Sequence, residues 1–333
     1  MIEILKDKDQ WNNFVKNGAN PGFTYFYEWM EVWQNAMRME IFPLADLENE
    51  EIKSIFPLVY DRGSKMFFSQ PFGGIGGVSG AAAYDAYLKF IDNLAREKQS
   101  IGIEINLPRD CGSDIYFRKN GYDTNLLTTD FLFDISSYKN FDDILMNKIG
   151  PRRRRSYRVA LQKILIKKHE TSREVIQKIH SFYQETLKHK KENQVFPIEV
   201  FLNIFDRFKD NLVLFLAELD GKFIGGAINL VFNDTVTPWF IVSLPEFRNT
   251  SINNGLYGEI IRWAKENNFK YIDWGASLPY AKEAEIKRGF GGEPVGRVRA
   301  IKMFTPCGKI KLFIKSGIFI LMNKFPILWK LYR

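Results

Sequence analysis

The chain has 333 residues, 45% of them hydrophobic and 26% charged, which excludes a disordered chain and suffices for about two cores. Two cysteines, Cys111 and Cys307, exclude a disulfide framework and a thiolate metal site. The formal charge of +8 is uneven: nine basic residues and no acid follow Glu293, and the rest of the chain is close to neutral.

The N-terminal run MIEILKDKDQWNNF is interrupted by acids and amides, so a signal peptide is not expected. No stretch of about 18 uncharged apolar residues predicts a spanning helix. Residues 8–16 and 26–37 pattern as helices, the second with Trp29, Val32, Trp33 and Ala36 at spacings of three and four. Residues 56–60 predict a strand. Residues 66–77 read as a strand that runs into a loop containing Gly73, Gly74, Gly76 and Gly77. Glycines let backbone approach a ligand, but the Lys-Ser/Thr ending of a nucleotide P-loop is missing. A helix over 81–97 and a strand over 100–107 follow, the latter with Ile101, Ile103, Ile105 and Leu107 alternating. Strand, helix, strand in that order is an α/β or α+β layer.

A second unit begins near Asp130. Residues 131–135 predict a strand and 142–149 open a helix. Then comes the densest charge cluster, Arg152, Arg153, Arg154, Arg155 and Arg158. On a helix, Arg152 and Arg155 share a face, and so do Arg154 and Arg158. The phosphates of tRNA, a pyrophosphate-bearing lipid precursor, membrane head groups or plain solvation would each accommodate such a run. Helices over 172–190 and 198–208 precede strands over 212–218 and 222–232, joined by the hairpin turn Asp220-Gly221. A strand over 236–242, a helix over 252–266 and a strand over 270–274 complete the pattern. Two such units suggest a duplicated architecture. The last segment, 301–333, interleaves lysines with Leu312, Phe313, Phe319, Phe325 and Trp329. That composition suits a segment lying on an anionic membrane, or a terminal helix packed on the core.

Several short segments occur in a fixed order. They are Phe133-Asp134-Ile135-Ser136, the arginine run, Phe182-Tyr183 with Thr186, Ala217 to Lys222, and Ile224-Gly225-Gly226-Ala227. Ile261-Arg262-Trp263-Ala264, Tyr271-Ile272-Asp273-Trp274-Gly275 and Ile286-Lys287-Arg288-Gly289-Phe290-Gly291-Gly292 follow. The first unit adds Trp29 and Ser69 to Gly74. With these, residues 1–300 resemble the FemAB-like peptidoglycan-bridge aminoacyltransferases. The resemblance implies an α/β (α+β) chain of tandem acetyltransferase-like (GNAT) domains, with mixed central sheets flanked by helices. It divides the chain into an acceptor-side domain over 1–128, a donor and catalytic domain over 129–300, and the tail over 301–333.

The resemblance also implies an acyltransferase. It would move an aminoacyl group from aminoacyl-tRNA to an amine of a phosphate-bearing cell-wall or cell-surface precursor. An acyl-CoA-dependent N-acetyltransferase and a non-catalytic phosphate- or membrane-binding relative stay open as alternatives. No tightly bound cofactor is expected: aminoacyl-tRNA or acyl-CoA would serve as co-substrate. The expected location is cytoplasmic, either free or peripheral on the inner face of the cell membrane.

Lys287 matches the lysine of the family's glycine-flanked segment, with Ile286 where the family has Phe. A fixed cation there would stabilise the oxyanion of acyl transfer. Asp273, at the end of an apolar strand, would orient the amine or structure its loop. Arg248 precedes a helix whose start, in acetyltransferases, carries glycines that bind pyrophosphate. Here Ser251 and Asn253 stand in those places, which weakens a coenzyme A reading. Arg152, Arg154, Arg155 and Arg158 would contact phosphate, and Trp29, Gly73 and Gly74 the acceptor. The family's phosphate ligands are replaced by Glu31 or Trp33 and by Phe196, which speaks against a nucleotide-linked acceptor. His169, His180 and His189 share no metal-ligand spacing, and no Gly-x-Ser-x-Gly elbow is present. Direct attack without a covalent intermediate fits these residues.

Overall fold

The computed structural model describes residues 1–18, 22–71, 76–80, 84–107, 114–190, 196–278, 281–310 and 312. Gly73, Gly74 and most of the basic tail lie outside the described residues. The chain divides into two units. The first is Met1–Thr129 with Leu278–Tyr280 and Val295–Arg333; the second is Asp130–Ser277 with Ala281–Pro294.

In the first unit, chain order gives β1 (Ile2–Ile4), α1 (Lys8–Asn17), α2 (Tyr27–Met37), β2 (Glu40–Glu48), β3 (Glu51–Asp61), β4 (Met66–Phe68), β5 (Ser79–Gly80), α3 (Tyr84–Glu97), β6 (Gly102–Asn106) and α4 (Asp114–Lys119). The strand β7 (Asp123–Asp134) contains the boundary between the units. The second unit continues with α5 (Phe141–Asn147), α6 (Pro151–Lys163), β8 (Leu165–His169), α7 (Arg173–Lys190), α8 (Ile198–Phe208), β9 (Leu212–Leu219), β10 (Lys222–Phe232), β11 (Thr235–Ser243), α9 (Ile252–Glu266), β12 (Tyr271–Ser277) and α10 (Lys282–Gly289). The last strand, β13 (Glu293–Met303), pairs antiparallel with β6 through Arg299↔Asn106 to Met303↔Gly102. Residues 295–303 are therefore part of the first unit's sheet rather than a continuation of the second.

The first sheet runs β1-β2-β3-β4-β6-β13, and β4 pairs parallel with β6. The helix α3 buries Tyr87, Leu88, Ile91, Leu94 and Ala95 against Phe56, Phe67, Ile103 and Ile105. The second sheet runs β12-β11-β10-β9-β8. Its β9–β10 hairpin turns at Asp220-Gly221, both at positive φ (51° and 77°), the conformation that the Asp-Gly pair favours. Each unit is thus an α/β layer, a mixed sheet flanked by helices.

Two features of the second unit position its site. First, α9 is apolar on the side that carries Leu256, Ile260, Ile261 and Ala264. A Cβ at Gly258 would overlap the ring of Tyr157, so glycine is what allows α6 to lie close to α9. Second, α10 ends in Phe290, which is buried and stacked on Tyr257 at 5.0 Å, while Tyr257 meets Trp274 of β12 at 4.8 Å. These rings fix α10 against β12.

Candidate functional site

The strands β11 and β12 run parallel, but they pair only at Thr235↔Tyr271 and Val236↔Ile272. Past that point the ladder between them stops, although β11 continues to Ser243 and β12 to Ser277. A parallel pair that parts in this way leaves an opening between strand edges, at the carboxyl ends of the strands. Ligands of open α/β sheets bind at such an edge.

The bend of β12 is built by three residues. Asp273 Oδ1 accepts the backbone N–H of Gly275 at 2.9 Å. Gly275 has φ +69°, a conformation that costs a residue with a Cβ but not glycine. Lys287 of α10, 9% exposed, then donates through Nζ to the carbonyls of Gly275 (3.1 Å) and Ala276 (2.8 Å). Its own carbonyl accepts the Gly292 N–H at 2.9 Å. The two residues picked out for chemistry, Asp273 and Lys287, are thereby linked through Gly275. The lysine is a buried cation bound to backbone rather than a surface lysine among its basic neighbours.

The β11 side of the opening is aromatic. Phe240 meets Tyr183 at 5.0 Å and Phe201 at 4.9 Å, and Trp239 lies 4.4 Å from Phe240. Phe196 stacks on Tyr183 at 6.4 Å. A ring therefore occupies the position where the family's pattern has an arginine. His180 is buried and its Nε2 is 2.9 Å from the Phe196 carbonyl, a structural placement. Thr186 Oγ1 donates to the Ser243 carbonyl at 3.0 Å and fixes the end of β11 to α7.

The start of α9 follows β11. Arg248 is exposed on the helical turn Pro245–Thr250. Ser251, at φ 61°, is the N-cap; its side chain makes no capping hydrogen bond, and the first turn of α9 holds no acid. Helix N-terminal N–H groups and the macrodipole favour an anion there. Arg153 reaches this turn and donates to Asn254 Oδ1 at 3.3 Å. Burial, with the charge of Arg152 beside it, holds the Arg153 pKa below its ordinary value.

The arginine run divides differently from the expected faces. Arg152 turns to Glu285 at 3.5 Å and Arg153 to α9. Arg154, Arg155 and Arg158 instead line a groove of about 420 Å³ with Met146. The helix α6 packs through Tyr157 and Ala160, which turns the arginines outward; Arg152 pairs with Glu285, whereas Arg155 lines the groove. Trp29 lies in the first unit. It is 3% exposed, packed edge-on to Phe23 (5.5 Å) and Trp33 (5.7 Å), and belongs to the core of its own unit.

One network was not foreseen. The buried Tyr157 donates its hydroxyl proton to Glu259 Oε1 at 2.5 Å and accepts from Arg262 Nη2 at 2.7 Å. Burial, then the Glu259 carboxylate, pushes the phenol's pKa up. The Gly255-x-x-Gly258 spacing on α9 is the sequence signal that would have pointed to this close helix pair. Among the described residues no group of His, Cys, Asp and Glu could hold a metal ion, and no helix is long and apolar enough to cross a membrane.

Residues 149–284 match the family model described as an acetyltransferase (GNAT) domain. That span lies in the second unit apart from residues 278–280 and holds the parted strands, α9 and the first three residues of α10, stopping short of Lys287. No curated protein sequence matches the chain. Among solved structures the chain is similar to FemX, with TM-score 0.68 and 14% identity over 91% of this chain and 97% of that one. It is similar to a tandem GNAT protein from the clavulanic acid biosynthesis pathway, with TM-score 0.62 and 12% identity over 92% and 99%. It is also similar to the C-terminal domain assigned to a lysylphosphatidylglycerol synthetase of Agrobacterium fabrum, with TM-score 0.62 and 10% identity over 92% and 94%. At these identities the structural likeness shows a GNAT-type, FemX-like fold. The family match classes the chain as an acyltransferase enzyme.

Proposed function

We propose that the chain transfers an aminoacyl group, carried as an ester on tRNA, to an amine of a cell-wall or cell-surface precursor. The reaction is assigned to the opening between β11 and β12. The observation that carries this reading is the Asp273–Gly275–Lys287 link, a buried cation fixed where the two parallel strands part. In acyl transfer the amine attacks the carbonyl carbon, and negative charge grows on the carbonyl oxygen. A cation that is already immobilised stabilises that charge without reorganising. Lys287 fills this role, and Asp273 holds the bend that places it. Strand edges released from their ladder supply N–H and C=O groups for an extended, amide-bearing substrate.

The donor's phosphates are assigned to the start of α9, with Arg248 before it and Arg152 at the flank. The side chains at Ser251 and Asn253 stand where glycines would bring backbone against a pyrophosphate, and this favours the tRNA ester over coenzyme A. The aromatic wall at Phe196, Tyr183 and Phe240 favours an acceptor without a nucleotide diphosphate at that place. A second reading, an acyl-CoA-dependent N-acetyltransferase, draws support from the family model, whose description is an acetyltransferase.

A donor screen on the full chain separates the readings. Charged tRNA pools and acetyl-CoA are offered with an amine acceptor, and products are followed by mass spectrometry. Discharge of aminoacyl-tRNA beyond its spontaneous hydrolysis, lost in Lys287→Met, supports the first reading. Turnover of acetyl-CoA alone supports the second. Turnover of neither overturns the assignment.

A further inference from the structure

The part of α6 that carries Arg154, Arg155 and Arg158 has no role in the chemistry above, yet its composition is unusual. Arg154, Arg155 and Arg158 stand on one groove, and no carboxylate lines it. Arg154 Nη1 donates to the Met146 carbonyl at 2.5 Å, and Arg158 Nη2 lies 3.8 Å from Met146 Sδ. These partners are neutral. Among the described residues none of the three arginines forms an ion pair, whereas Arg152 in the same run is within 3.5 Å of Glu285. Three like charges about one helical turn apart repel one another, and an anionic partner relieves that repulsion.

The same face is also apolar. Met146 is 55% exposed and Leu161 40%. Leu161 follows Arg158 by three positions, so the two are neighbours on the helix surface. A nucleic-acid backbone would use the guanidinium groups and leave Met146 and Leu161 in water. A bilayer uses both, with cations at the phosphates and apolar side chains at the acyl boundary.

We infer that this face of α6, with Met146 of α5, docks the protein on an anionic lipid surface. The contact is peripheral and holds whichever acyl donor is used. It is separate from any contribution of residues 313–333.

The test is flotation of the full chain with vesicles of equimolar phosphatidylglycerol and phosphatidylcholine, and with phosphatidylcholine alone. The wild-type protein floats with the anionic vesicles and not with the neutral ones. The double variant Arg155→Ala/Arg158→Ala lowers the partition coefficient about 30-fold, roughly fivefold for each arginine. Leu161→Ser lowers it severalfold, and this loss persists at high salt. Arg152→Ala has little effect. Melting curves of the variants confirm that these exposed substitutions leave the fold intact. The inference is overturned if the wild-type protein does not float. It is equally overturned if the double variant floats like the wild type, or if it loses binding to deacylated tRNA while keeping vesicle binding.

Discussion

The parallel strand pairs β4 with β6 and β11 with β12 end in opposite ways. In the first unit the ladder from Met66↔Gly102 to Phe68↔Glu104 is carried onward by hydrogen bonds. Ser69 N donates to the Glu104 carbonyl at 3.0 Å, Asn106 N to Ser69 Oγ at 3.0 Å, and Asn106 Nδ2 to the Gln70 carbonyl at 3.2 Å. Gly76 N closes on the Asn106 carbonyl at 2.8 Å, and Ser69, Gln70 and Asn106 are all buried. That seam is shut by its own side chains. In the second unit the ladder stops after Val236↔Ile272, and β12 bends away under the Asp273–Gly275–Lys287 link. The same strand arrangement therefore yields structure in one unit and an opening in the other. The difference lies in which polar residues follow the ladder: Ser-Gln and Asn bridge, whereas Asp-x-Gly with a lysine from a separate helix bends.

The largest effect expected from this contrast is at Lys287. Lys287→Met removes the fixed cation and should lower single-turnover acyl transfer by about 10²–10³-fold. Lys287→Arg should not restore it, since a planar fork cannot reproduce the same bonds to Gly275 and Ala276. A variant within tenfold of wild type would place the chemistry elsewhere. Next comes Gly258→Ala, which puts a methyl into the Tyr157 ring and should cost about 1–3 kcal/mol in urea unfolding. A neutral result would mean that α6 and α9 do not pack as closely as described.

The closed seam gives the contrasting case. Asn106→Ala breaks its bond to the buried Gln70 carbonyl and should cost about 1–2 kcal/mol. Turnover per folded molecule should stay unchanged, and a drop in turnover would erase the distinction between the seams. Smaller again is Asp273→Asn, which retains an acceptor for the Gly275 N–H and should melt within about 0.5 kcal/mol of wild type. Asp273→Ala should lose about 1 kcal/mol.

The smallest expected effect is on alkaline stability. Tyr157 is neutral and bonded in the folded state, with its pKa pushed above the ordinary value of 10.0 by burial and by Glu259. The unfolded chain therefore loses that proton first. The contribution is complete below about pH 10 and falls as pH rises beyond it. Denaturation midpoints between pH 9 and pH 11 should fall less steeply for Tyr157→Phe than for the wild type.

Much of this was legible in the sequence where local signals agree. The helix α9 and the Asp220-Gly221 hairpin stand where periodicity and turn chemistry put them. β8 was not read, because Leu165-Ile166-Lys167-Lys168-His169 alternates too weakly beside a basic helix. β13 was not read either, because Arg297, Arg299 and Lys302 look like the start of a charged tail. Arg299 instead pairs with Glu104 at 2.6 Å and Lys302 with Asp92 at 2.8 Å. At the site, Lys287 and Asp273 stood out only through a family resemblance. Their connection through Gly275 could not be read, because the end of a ladder is a tertiary fact with no local pattern. Trp29 was drawn to the site by the same resemblance, and its aromatic neighbours Phe23 and Trp33 place it in a core.

The contrast between the seams is tested most directly by hydrogen exchange on the full chain, with and without a saturating acyl donor. Charged tRNA and acetyl-CoA would be tried in turn. Protection is expected at the amides of residues 237–243, 251–255 and 273–277, with residues 66–71 and 102–107 unchanged. Protection confined to residues 66–71 and 102–107 would contradict the account, as would turnover with no protection around Asp273 and Lys287.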